Sequence, residues 1–153
     1  LEFRRVLFRS DATEQRTREA RGEAIRLTAT VPESTKDFTE NTPVMYREGY
    51  EYYRTARGQH PNAPARAVFS SIPSQMAFYG FEQLETISPR PALMIAGAKA
   101  DSLYFSELAY QKTQEPKELF LVPGASHIDM YDKPQYVTPA VTKLTAFYQQ
   151  YLA

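Results

Sequence analysis

The chain has 153 residues, 18 Lys and Arg against 18 Asp and Glu, no Cys and no Trp. The charge balance gives no footprint for nucleic acid or an anionic membrane surface. The missing cysteines exclude a disulfide scaffold, a thiolate zinc site and a Cys nucleophile within the chain. Only two histidines are present, which argues against a His-rich metal site, and no apolar run approaches the roughly 18 residues needed to span a membrane.

Residues 1–10, Leu-Glu-Phe-Arg-Arg-Val-Leu-Phe-Arg-Ser, resemble the in-frame translation of a common short-read sequencing adapter. We set this segment apart from fold reasoning. The corresponding expectation is that the natural protein begins before Asp11. Asp11 to Leu27 then reads as a solvated helix ending near Gly22, with Glu14 and Arg18 spaced to pair. Thr28 to Thr42 reads as a loop.

Thr42-Pro43 offers an N-cap followed by proline at the first helical position. The helix should run from Pro43 to about Ala56, with Tyr46, Tyr50 and Tyr53 on one face. A turn follows through His60-Pro61-Asn62. A short helix is expected over Ala65 to Ser71; Met76 to Thr86 is aromatic and reads as helix or strand, with its length favouring a helix. Residues 11–86 together form a helical cap or linker region.

Residues 87–153 carry a sharper pattern. Ala92-Leu93-Met94-Ile95-Ala96, closed by Gly97, is a continuous apolar run of the kind buried on both faces of a parallel sheet. Asp101-Ser102 can cap a helix from Leu103 to Thr113. Glu118-Leu119-Phe120-Leu121-Val122 is a second strand run, closed by Pro123-Gly124. The three make one βαβ unit. Thr138-Pro139 should open the last helix, whose apolar residues Val137, Ala140, Val141, Leu144, Phe147, Tyr148 and Tyr151 repeat at steps of three and four.

Two side chains stand just past the carboxyl ends of these strands, where open parallel sheets place their ligands. They are Asp101 and, in Gly124-Ala125-Ser126-His127, the imidazole of His127. An acid that accepts from an imidazole fixes its tautomer, and the other ring nitrogen then takes a proton from a nucleophile. Asp followed by His across one βαβ step is the second half of an α/β-hydrolase triad. Each residue also has a plain structural reading: Asp101 as a helix cap, His127 as a loop hydrogen-bonder. Asp129 reads as a turn or cap residue. His60 reads as a structural loop residue, with a substrate-facing role as the alternative. Ser102, Ser106 and Ser126 lack an elbow and are not read as nucleophiles.

The segments Pro-Arg-Pro-Ala-Leu-Met-Ile-Ala-Gly before Ala-Asp-Ser, and Pro-Gly-Ala-Ser-His-Ile-Asp-Met-Tyr, resemble the C-terminal part of the bacterial dienelactone-hydrolase-like α/β-hydrolases. The stretch from Met45 to Pro61 is similar to this family's cap region. The resemblance implies an α/β-hydrolase fold, an acid at Asp101 and a general base at His127. It also implies a Ser or Cys nucleophile on an upstream elbow. No two of the six glycines are spaced for G-x-S-x-G, so that elbow is absent from this sequence. The expectation is therefore a C-terminal fragment of an α/β-hydrolase, inactive alone, from a parent about twice as long. The parent would act on a small-molecule ester, thioester, lactone or amide. It would need no cofactor or metal, bind no nucleic acid or membrane, and be cytoplasmic. The oligomeric state is left open. A non-catalytic binding module of the same fold is the rival.

Overall fold

A computed structural model describes residues 2–152, and side chains from residue 7 onward. The chain divides into two compact units. One comprises the chain up to Asn41 together with Gly49–Gly80; the other comprises Thr42–Glu48 and the chain from Phe81 onward. Residues 42–48 and 81–86 of the segment read as a cap or linker thus belong to the second unit, with residues 87–153.

In the first unit, helix α1 (Glu2–Ala20) runs without a break across the adapter-like segment and the polar residues after it. Gly22, at φ +97°, follows the end of the helix. The core of this unit is Ala12, Phe69 and Ile72, with Met76 against it. Phe8 packs edge-on against Phe69 at 5.2 Å between centroids, and the Arg26 guanidinium lies 3.9 Å over the same ring. Buried aromatic surface of this kind dominates the energetics of a small core.

Strand β1 (Leu27–Ala29) pairs antiparallel with β2 (Arg66–Val68), Thr28 facing Ala67. This corrects two expectations, a loop from Thr28 and a helix over Ala65 to Ser71. Pairing between segments distant in sequence overrides local propensity here, and Ala65 turns the chain into β2 with φ +51°. A 3-10 turn at Phe69–Ser71 leads into helix α3 (Ile72–Met76).

Helix α2 (Val44–Arg54) forms within the expected range and bridges the two units in sequence. The expected helix from Met76 to Thr86 does not form. Only a 3-10 turn at Leu84–Ile87 is present, and Gln83 before it sits at φ +64°, which a continuous α-helix cannot accommodate.

In the second unit, β3 (Ala92–Gly97) and β4 (Lys117–Val122) pair in parallel, from Ala92 opposite Lys117 to Gly97 opposite Val122. Helix α4 (Leu103–Lys112) connects them and packs on both strands. The expected βαβ unit is therefore present. Burial of the strands on both faces is not: five residues of β3 are only half-buried, and Leu121 in β4 is exposed. The sheet has two strands among the described residues, so neither has a neighbour on its second edge.

The last helix starts one turn earlier than expected. A short α5 (Asp129–Asp132) is followed by α6 (Pro134–Tyr151), with Pro134 at the N-terminus and Pro139 inside. Two prolines compete for the first-turn position and the earlier one takes it. A half-buried stripe through Val137, Ala140, Leu144 and Phe147 lies on the side of α6 that meets the strands; Val141, Tyr148 and Tyr151 are exposed. No helix is long and apolar enough to cross a membrane among the described residues.

Candidate functional site

The loop after β4 holds His127. Gly124, at φ +77°, turns the chain, a conformation that L side chains resist. The loop is then stitched to the end of β3. Ala98 N–H donates to the Val122 carbonyl, and Lys99 N–H to the Ala125 carbonyl, both at 2.9 Å. Gly97 makes this approach feasible. A Cβ there would collide with the Ala125 carbonyl oxygen and stand 2.7 Å from that of Ser126.

Ala125, Ser126, Ile128 and Asp129 are all buried around the half-buried His127. Ser126 N–H donates to Asp129 Oδ2 at 3.1 Å, and Asp129 N–H returns a bond to Ser126 Oγ at 3.2 Å. Lys133 Nζ pairs with Asp129 Oδ1 at 2.5 Å. Burial pushes the Asp129 carboxyl up, but the Lys133 ammonium and the Ser126 N–H outweigh it and hold the carboxyl below its usual range. Asp129 is thus a structural clamp on the loop, an ionised acceptor within it.

The imidazole is held at both nitrogens. His127 Nδ1 lies 2.7 Å from Ser102 Oγ, and Nε2 lies 2.9 Å from the Tyr131 hydroxyl. The Tyr131 ring also stands edge-on to the imidazole at 5.5 Å. Asp101 does not make the expected bond to His127. Its Oδ2 accepts from Met45 N–H at 3.1 Å and so ties the start of α2 to the turn between β3 and α4. The physical reason is the turn at residues 100–102. It gives the Nδ1 position to the neighbouring hydroxyl and leaves the carboxylate to an exposed backbone donor.

Ser102 is the residue that sequence reasoning passed over. It stands at the N-cap of α4, but its side chain makes no capping bond. A serine at this position ordinarily bonds the N2 or N3 amide, worth about 1 kcal/mol. Here the hydroxyl serves His127 instead, and no local pattern in the sequence signals that exchange.

His60 belongs to the first unit. Its Nδ1 accepts from Asn62 N–H at 3.1 Å, and with Tyr53 and Arg54 it borders an open cavity of about 480 Å³. Among the described residues, no group of three or more His, Asp or Glu side chains is placed to hold a metal ion.

No protein-family profile matches the chain. It is 40% identical over 106 residues to PA2218, an uncharacterized protein of Pseudomonas aeruginosa; the match takes in 67% of this chain and 28% of that protein. It is 32% identical over 107 residues to YcjY, an uncharacterized protein of Escherichia coli K12, taking in 69% of this chain and 35% of that one. The crystal structure of PA2218 matches 95% of this chain and 44% of its own, with 30% identity and a TM-score of 0.81. The α/β hydrolase GrgF from Penicillium sp. sh18 matches 98% of this chain and 50% of its own, with 20% identity and a TM-score of 0.73. The fold is that of the α/β-hydrolases. This chain spans about a third of the length of the curated relatives and half or less of these two structures. In hydrolase-fold terms, the His127 loop follows one parallel strand and Ser102 follows its neighbour, on one edge of the sheet.

Proposed function

We propose that this chain supplies the histidine half of an acyl-bond hydrolase, acting on an ester, thioester, lactone or amide. The observation that carries the reading is His127. It sits on a clamped loop after a parallel strand, with both ring nitrogens in hydrogen bonds to hydroxyls. A histidine so placed is suited to proton transfer, because its ring is oriented by bonds at both nitrogens. The dienelactone-hydrolase-like motifs around Asp101 and His127 support the finer assignment, as does the fold of GrgF. Asp101 contributes negative charge in the turn between β3 and α4, next to Ser102, and anchors α2 through Met45.

On this reading the nucleophile and its oxyanion donors lie in the part of the relatives' length that this chain does not span, in keeping with the lack of a G-x-S-x-G in it. The test is to read the coding sequence upstream of the Asp11 codon and to label the whole protein with a serine-directed phosphonate. An in-frame elbow with a labelled serine supports the proposal. An elbow cysteine supports it equally, with no phosphonate label expected; an open frame with neither a Ser nor a Cys elbow, or an unlabelled elbow serine, favours the non-catalytic module.

A further inference from the structure

We infer that Ser102 is the positioning residue of His127. It accepts the Nδ1–H and leaves Nε2 as the basic nitrogen. The inference rests on the proton-transfer role proposed for His127, and it assigns to a neutral hydroxyl the orienting task that the sequence pattern gave to Asp101.

Both hydrogen bonds to the ring involve hydroxyls, at 2.7 Å from Nδ1 and 2.9 Å from Nε2. A hydroxyl donates or accepts, and a neutral imidazole has one nitrogen of each kind. Only two arrangements then satisfy both bonds. In one, Ser102 donates to Nδ1 and Nε2–H donates to Tyr131. In the other, Tyr131 donates to Nε2 and Nδ1–H donates to Ser102. The phenol is the more acidic hydroxyl and the better donor, which selects the second.

Three further features agree. The Ser102 hydroxyl is not spent on capping α4, so its oxygen is free to accept. Asp101, the rival acceptor, is engaged by Met45 N–H. The loop that carries His127 is fixed by the reciprocal Ser126 and Asp129 bonds, so the ring does not need a carboxylate to hold its place. The selected tautomer is the one a general base requires, with an unprotonated Nε2. Tyr131, 42% exposed, occupies the position from which Nε2 would draw a proton, and an incoming hydroxyl would have to displace it.

The test reads the tautomer directly and needs no turnover. The 15N-labelled chain is observed by long-range 1H–15N correlation at about pH 8.5, where a free imidazole is neutral. The chain has only two histidines, and His60→Gln assigns the pair. His60, whose Nδ1 accepts from Asn62, serves as the internal Nε2–H reference. His127 should show the opposite pattern, with a protonated Nδ1 and an unprotonated Nε2. Ser102→Ala should shift the population toward Nε2–H, Ser102→Thr should restore it, and Asp101→Asn should leave it unchanged. A wild-type His127 matching His60 overturns the proposal even if no variant folds. So does a Ser102→Ala spectrum identical to wild type, or a change of tautomer in Asp101→Asn. Turnover is measured separately, so failure of the tautomer assignment is distinguishable from failure of the hydrolase reading.

Discussion

Ser126 and Asp129 hold each other through two reciprocal bonds, Ser126 N–H to Asp129 Oδ2 and Asp129 N–H to Ser126 Oγ. His127 is enclosed between them in sequence. The clamp is local in the chain, yet it fixes the side chain that matters most to the site.

Replacing Asp129 by Asn keeps an acceptor for the Ser126 amide but removes the charge facing Lys133. We expect a loss of about 1–2 kcal/mol at pH 7, in the range for charge-assisted bonds. The folded carboxyl is held below its usual range, so its contribution is fully present above the unfolded carboxylate value of about 3.9. It is lost as pH falls through the folded value. Urea unfolding of wild type and variant should therefore converge at acid pH; a difference that stays constant would refute the clamp.

Gly97 carries a second prediction. A methyl group there meets two backbone carbonyls, which cannot rotate away as a side chain would. Gly97→Ala should cost about 1–3 kcal/mol, the range for overpacking. It should also raise hydrogen exchange at the Lys99 amide, which bonds the Ala125 carbonyl. Gly124→Ala is the control, since only Tyr136 lies near and the contact is an ordinary one. Its cost should come from the positive φ alone, about 1–2 kcal/mol.

What the sequence made legible follows from where the forces are local. The apolar runs ending at Gly97 and Val122, with an amphipathic segment between them, specify the β3–α4–β4 unit without help from the rest of the chain. Helix α2 is likewise written in its tyrosine spacing. The β1–β2 pairing was not legible, because three residues on each side hold it and nothing local favours it. The start of α6 was misplaced because either Pro134 or Pro139 satisfies the same rule. At the candidate site, the place of His127 just after a strand is legible in the sequence. Its partner is not, because choosing between adjacent Asp101 and Ser102 depends on a turn geometry that composition does not encode.

The first unit offers a packing test. Phe69 is 1% exposed and forms most of a small core. Phe69→Ala should cost about 3–5 kcal/mol, read as a fall in the denaturant midpoint. Removing residues 1–10 takes away the Phe8 ring that packs on it. If those residues are foreign to the natural protein, their removal should cost less than Phe69→Ala. An equal or larger cost would assign them to the core of the unit.

The most direct test of the central claim is ester turnover by the whole protein, at the length of its relatives, with His127 intact and with His127→Ala. The account predicts a loss of about three orders of magnitude or more, as expected for removal of one member of a concerted proton-transfer unit. The loss should appear in kcat, with the folded state unchanged. Turnover retained within a few-fold of wild type would contradict the account and leave His127 as a structural hydrogen-bonder.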